Sequence, residues 1–163
     1  RIPNTINLGV SGDLISDLNK RFGKQLQENI TKEDTTIIAI GINDTRWIGL
    51  PEENNPQTTK QEFKKQLKIL INKTKKTKTI FLGLTPVDET KTTPYKKTSF
   101  QNKRIKEFDN IIKQECEKNN IEHIELFNKL KENYNSLTDD GLHPNSKGYE
   151  KISEIIKKHL KCK

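Results

Sequence analysis

Two short runs are almost uninterrupted in apolar character, Thr36-Ile37-Ile38-Ala39-Ile40 and Thr79-Ile80-Phe81-Leu82-Gly83-Leu84. They are too short for helices and lack the alternation of a half-solvated strand, so they read as strands covered on both faces, as in a parallel sheet. Between and around them the period changes. Ile15, Leu18, Phe22 and Leu26, then Phe63, Leu67, Leu70 and Ile71, then Ile105, Phe108, Ile111, Ile112 and Cys116, and finally Tyr149, Ile152, Ile155, Ile156 and Leu160 recur at spacings of three and four, the stripe of an amphipathic helix. Thr5-Ile6-Asn7-Leu8 reads as a short strand ending in Gly9, residues 121–127 as an outer strand, and Leu130 as part of a short helical or turn segment. The order is strand then helix, four times over, with helices long enough to cross between parallel strands. The expected fold is α/β: a single three-layer α/β/α sandwich spanning residues 1–163.

A chain of 163 residues suits one core. With 30% apolar and 32% charged residues, that core is lean and its shell heavily solvated. No stretch reaches the roughly 18 apolar residues that a membrane-spanning helix needs. The net charge of +8 comes from a lysine surplus, since only Arg1, Arg21, Arg46 and Arg104 among 30 cationic side chains are arginines. The lysines are spread over every helix, and aromatic residues make up only 6%. Nucleic-acid readers favour arginine forks and stacking aromatics, so no nucleic-acid partner is expected. Cys116 and Cys162 are too few for a disulfide framework and lack metal-ligand spacing, which points to a cytoplasmic address and to no metal site. The chain contains no Met and opens on Arg1-Ile2-Pro3, so a segment upstream is expected to have been cleaved or left out.

In open parallel sheets ligands bind beyond the carboxyl ends of the strands. Three loops at that rim carry unusual residues: Asn7-Leu8-Gly9-Val10-Ser11-Gly12-Asp13, Gly41-Ile42-Asn43-Asp44, and Asp140-Gly141-Leu142-His143-Pro144. Each alone is ordinary turn chemistry. Together they supply the parts of an acyl-transfer site. Gly12, expected at a helix N-terminus, offers a backbone N–H to developing negative charge, and Asn43 offers a side-chain amide to the same oxyanion. His143 is a general base, and Asp140, three residues earlier, can reach its other ring nitrogen and fix the tautomer. Trp47 and Tyr95 stand in the two long loops and could line a substrate pocket, although packing explains a loop aromatic equally well. His123 and His159 have no partner within sequence reach.

With these motifs in their order, the sequence resembles the SGNH hydrolases, also called GDSL esterases and lipases. The resemblance runs the length of the chain. It implies a flavodoxin-like sheet, oxyanion roles for Gly12 and Asn43, a base and its orienter in His143 and Asp140, no cofactor, and a carboxylic ester substrate such as a short acyl ester, a lysophospholipid or an acetylated sugar. Leu14 stands where the family often has Thr. The larger departure is the nucleophile. The family carries it in a Gly-Asp-Ser motif at the end of a first strand, upstream of the glycine-rich block, and here that block begins at residue 7. Ser11 belongs to the oxyanion block, where a local turn hydrogen bond is expected, and no other serine has the right flanks.

The resemblance also implies that the absent first strand lies between the strands at 5–8 and 36–40. Without it, backbone groups on both would be orphaned. The expected partner is therefore an N-terminal segment of the same protein or a companion peptide, and the chain alone is expected to be inactive. The alternative is a non-catalytic module that binds an ester or a glycan on the same fold.

Overall fold

The computed structural model describes residues 5–29, 31, 33–75 and 77–161. Its strands are β1 (Thr35–Ile38), β2 (Trp47–Ile48), β3 (Lys78–Leu82), β4 (Thr98–Ser99) and β5 (Glu122–Ile124). Its α-helices are α1 (Ile15–Asn29), α2 (Lys60–Thr74), α3 (Glu89–Thr92), α4 (Asn102–Lys118), α5 (Phe127–Leu130) and α6 (Ser146–Lys161). Arg1-Ile2-Pro3 and Cys162 lie outside the described residues.

β3 is the centre of a parallel sheet ordered β1-β3-β5, with Ile37 opposite Ile80 and Phe81 opposite His123. Successive side chains of a strand point to opposite faces, and β3 uses both. Phe81 packs into a core with Ile15 and Phe22 of α1, Phe63, Leu67, Leu70 and Ile71 of α2, and Ile105, Phe108 and Ile112 of α4. Ile80 and Leu82, with Ile124 of β5, pack instead on Ile152, Ile155, Ile156 and Leu160 of α6. Helices therefore cover both faces, the α/β/α sandwich expected from the apolar runs.

The helices form where their stripes and caps allow. Thr59 Oγ1 accepts from Glu62 N–H (3.2 Å) and opens α2. Phe63 and Phe108 then join α2 to α4, with ring centroids 4.7 Å apart. At α6, Asn145 Oδ1 accepts from Gly148 N–H (3.1 Å), so Asn145 is the cap. Tyr149 departs from the expected stripe and is 62% exposed. The inward position of that turn belongs to Gly148, where a Cβ would run into the Leu137 carbonyl oxygen and sit 2.9 Å from the Pro144 side chain.

Residues 5–8 also depart from expectation, because they form no strand. Asn7 Oδ1 accepts from Gly9 N–H (2.9 Å), and the Leu8 carbonyl accepts from Arg21 Nη1 of α1 (2.9 Å). The segment is tied to a helix, and without a neighbouring ladder extended backbone has nothing to pair with. β1 is the counterpart. Among the described residues it pairs only with β3, and Ile37, on the face it shares with Ile80, is 38% exposed. The run at 36–40 is thus less fully covered than its composition suggests, because it stands at a sheet edge. Within the described residues no helix is long and apolar enough to cross a membrane.

Candidate active site

The turn before α6 is built around the Asp140 carboxylate. Its Oδ1 accepts from the backbone N–H groups of Leu142 (2.9 Å) and His143 (2.8 Å). Its Oδ2 lies 2.7 Å from His143 Nδ1 and accepts from the Tyr95 hydroxyl at 3.0 Å. The backbone around it is pinned. Thr138 Oγ1 donates to the His143 carbonyl (2.7 Å) and accepts from Gly141 N–H (3.0 Å), while the buried Tyr134 hydroxyl donates to the Leu142 carbonyl (2.9 Å). Gly141 has φ +85°, and a Cβ there would meet Lys91 Cβ at 2.7 Å, so only glycine lets this turn close on α3.

Partial burial works to raise the Asp140 carboxyl, but the His143 ring, the His143 and Leu142 amides and the Tyr95 hydroxyl outweigh it and hold the group well below the usual carboxylate range. Asp140 is therefore an acceptor only. The proton in the short contact must sit on His143 Nδ1, so that in the neutral imidazole Nε2 is the nitrogen with the lone pair. The hydrogen bond to Asp140 in turn raises the Tyr95 hydroxyl, aided by burial and by the Asp140 charge.

A second set of residues joins the loops at 9–14 and 39–46. Asn43 Nδ2 donates to the Asp13 carbonyl (3.1 Å), and Asp13 is held by Arg21 Nε (2.8 Å). Asp44, wholly buried, accepts from Ile15 N–H (3.0 Å) and Thr58 Oγ1 (2.9 Å), and burial pushes its carboxyl up to about 6. Gly12 does not sit at the first turn of α1, which begins at Ile15 and is capped by Asp44. It lies in the preceding turn at φ +84°, with no heavy atom within 4 Å of a Cβ built on it and no described residue accepting from its N–H. The antiparallel β2–β4 pair, with Trp47 opposite Ser99, ties the loop that follows Asn43 to the loop that carries Tyr95.

Of the residues singled out from sequence, His143, Asp140 and Tyr95 come together, and Asn43 meets the residue after Gly12. Trp47 is drawn elsewhere. Its ring stacks under the Arg104 guanidinium at 4.4 Å and its Nε1 donates to Gln101 Oε1 (3.3 Å), so it packs a loop base. His159 Nε2 meets Glu122 Oε2 at 3.1 Å, whereas the buried His123 Nε2 has the Asp109 carboxylate at 3.8 Å, beyond hydrogen-bond reach. Ser11 is exposed and makes no hydrogen bond with a described residue, and none of the described serines bonds to His143. Burial pushes the Cys116 thiol up to about 12, which leaves it unreactive. Among the described residues no group of three His, Cys, Asp or Glu side chains could hold a metal ion.

Sequence reasoning missed Asp44, Tyr134 and Thr138. Asp44 follows Asn43 in what reads as ordinary turn chemistry, and only the fold brings it to Ile15.

Comparison with known proteins bears on the fold and the family. The fold is shared with a lipase/acylhydrolase from Enterococcus faecalis (TM-score 0.74, 24% identity, covering 92% of this chain and 71% of that one). It is shared equally with a GDSL-like lipase from Bacteroides thetaiotaomicron (0.75, 21%, 96% and 75%) and with an acetylxylan esterase from Geobacillus stearothermophilus (0.70, 23%, 93% and 69%). A comparison with curated proteins finds no match. The model of the GDSL-like lipase/acylhydrolase family matches residues 2–151, a span that holds the glycine-rich loop, Asn43, Asp140 and His143, and the chain belongs to that family.

Proposed function

We propose that this chain is the greater part of a serine esterase in which Asp140 and His143 are the orienting acid and the general base. The observation that carries the reading is the 2.7 Å contact between His143 Nδ1 and Asp140 Oδ2. An imidazole held this way presents a basic Nε2 to whatever approaches its open side. Gly12 N–H and one hydrogen of the Asn43 amide are the oxyanion donors, the other Asn43 hydrogen being engaged by Asp13. The nucleophilic serine comes from a Gly-Asp-Ser segment outside residues 1–163 that adds a strand along the edge of β1 with which no described strand pairs, as part of the same protein or as a companion peptide.

In the reaction His143 Nε2 takes the serine proton as the serine oxygen attacks the ester carbonyl. The tetrahedral oxyanion then collapses, and the imidazolium returns its proton to the departing alcohol. Water, deprotonated by the same His143, releases the acid from the acyl-enzyme. Short acyl esters, lysophospholipids and acetylated sugars are the substrate classes to assay.

The test compares the full-length protein, its His143→Ala variant and residues 1–163 alone on p-nitrophenyl acetate, acetylated xylan fragments and a lysophospholipid. Turnover by the first alone is expected. A folded full-length protein that binds one of these ligands without turnover replaces this reading with that of a binding module.

A further inference from the structure

Tyr95 reaches Asp140 across 45 positions of sequence and arrives already fixed. Its backbone N–H donates to the Thr98 carbonyl (2.6 Å), the Thr98 N–H returns the bond (3.0 Å), and the Thr98 hydroxyl donates to the Tyr95 carbonyl (3.0 Å). The ring stands edge-on to Phe100, with centroids 6.3 Å apart. The hydroxyl is therefore aimed by its own turn and does not depend on Asp140 for its position. It enters the one carboxylate oxygen that His143 also uses, while the two backbone amides occupy the other. The Tyr95 ring also flanks the imidazole at 65° with centroids 6.4 Å apart.

We propose that Tyr95 is a positioning residue for the Asp140–His143 pair: by donating to Oδ2 it fixes the plane of the carboxylate and shares the negative charge that His143 Nδ1–H meets. The inference rests on the reading of that pair as orienting acid and base. Its physical content is a division of one acceptor between two donors. With Tyr95 present, neither oxygen is free to rotate away, and the carboxylate holds the imidazolium less tightly than an undivided acceptor would. Without the hydroxyl, Oδ1 remains anchored by two amides while Oδ2 is left to swing about that anchor, and its charge falls more fully on His143. A wall residue that only lined the pocket would change neither property. The other charged groups around this turn, Asp139 (accepting from Asn145 Nδ2, 3.1 Å), Asp88 paired with Lys91 (3.8 Å), Lys91 itself (Nζ to the Asp139 carbonyl, 3.4 Å) and Lys96 (Nζ 5.6 Å from the Tyr95 ring centroid), are unaltered by removal of a hydroxyl.

The experiment is an NMR titration of the His143 imidazole in the full-length protein, which needs no turnover, in four forms: wild type, Tyr95→Phe, Asp140→Asn and the double variant. Phe keeps the ring against Phe100. Tyr95→Phe is expected to move the His143 midpoint to higher pH by a few tenths of a unit, and the same change made in Asp140→Asn is expected to move nothing. In the full-length protein Tyr95→Phe should lower kcat about tenfold with KM little changed, and shift the acidic limb of the rate profile in the same direction. An unmoved midpoint, or an equal movement with and without the Asp140 carboxylate, overturns the proposal. A midpoint that moves as expected in a protein that hydrolyses no ester leaves the Tyr95 contact standing and removes the esterase reading instead.

Discussion

Asp44 Oδ2 lies 3.0 Å from the amide nitrogen of Ile15, so a side chain of the loop after β1 supplies the acceptor that begins α1. Both partners are wholly buried. The contact holds the turn that carries Gly12 against the loop that carries Asn43, and it does so with an ionisable group.

Removing that acceptor leaves Ile15 N–H and the Thr58 hydroxyl without their partner. Asp44→Ala is expected to destabilise the domain by about 1–3 kcal/mol in urea unfolding. The pH dependence has a definite sign. The folded carboxyl titrates near 6 and the unfolded one near 3.8, so between these values the native state holds a proton that the unfolded chain has released. The contribution of Asp44 to stability therefore grows as pH falls through 6 and is lost as pH rises through it. Wild type should gain on Asp44→Asn when both are moved from about pH 7.5 to about pH 5; no relative gain would show that the buried carboxyl does not titrate in this range.

In the full-length protein, His143→Ala is expected to cost on the order of 10⁶ in kcat, and Asp140→Asn about 10⁴ because the imidazole then lacks an obligate acceptor for Nδ1–H. Asn43→Ala should cost about 10²–10³. The order of severity is the test, and steady-state turnover of p-nitrophenyl acetate measures it. Equal activity in all three variants would reduce the constellation to a set of turns.

Two glycines in helices should respond oppositely to alanine. Gly23 in α1 has nothing within 4 Å of a Cβ, so Gly23→Ala should stabilise by about 0.5–1 kcal/mol through helix propensity and lost unfolded-state freedom. Gly148 faces the Leu137 carbonyl and Pro144, so Gly148→Ala should destabilise by about 1–3 kcal/mol and displace the His143 turn. Thermal melts of the two variants decide this.

Tyr134→Phe removes the donor to the Leu142 carbonyl together with the hydroxyl's hydrogen bond to the Thr85 side chain. A loss of about 1–2 kcal/mol is expected, with faster hydrogen exchange at the His143 amide. Exchange unchanged at His143 would mean that the turn is rigid without Tyr134.

The parts of the molecule legible in the sequence are those whose cause is local. Phe63, Leu67, Leu70 and Ile71 are buried because their spacing puts them on one side of α2, and Asp140 meets His143 because three residues of a turn bring them there. Residues 5–8 have strand composition, but a strand also needs a neighbour, which a stretch of sequence cannot display. Trp47 and Ser99, paired through strands of two residues, are too brief to show a period. Tyr95 reads from the sequence as an aromatic in a loop beyond a strand end, yet its partner is set by tertiary structure. Asp44 was hidden for the same reason.

Arg104 carries a consequence for how such a domain can change. Its Nε donates to the Thr45 carbonyl (2.8 Å) and its Nη2 to the Thr58 carbonyl, while the guanidinium is stacked between Trp47 and Phe108. One side chain of α4 thus clamps both ends of the excursion between residues 45 and 58. What lies between the clamps, including the half-exposed Ile48 and Leu50, is an exchangeable module. Mutation can recast its sequence and reshape the surface around it, and Asn43, anchored on the near side of the clamp, keeps its place while the neighbourhood diversifies.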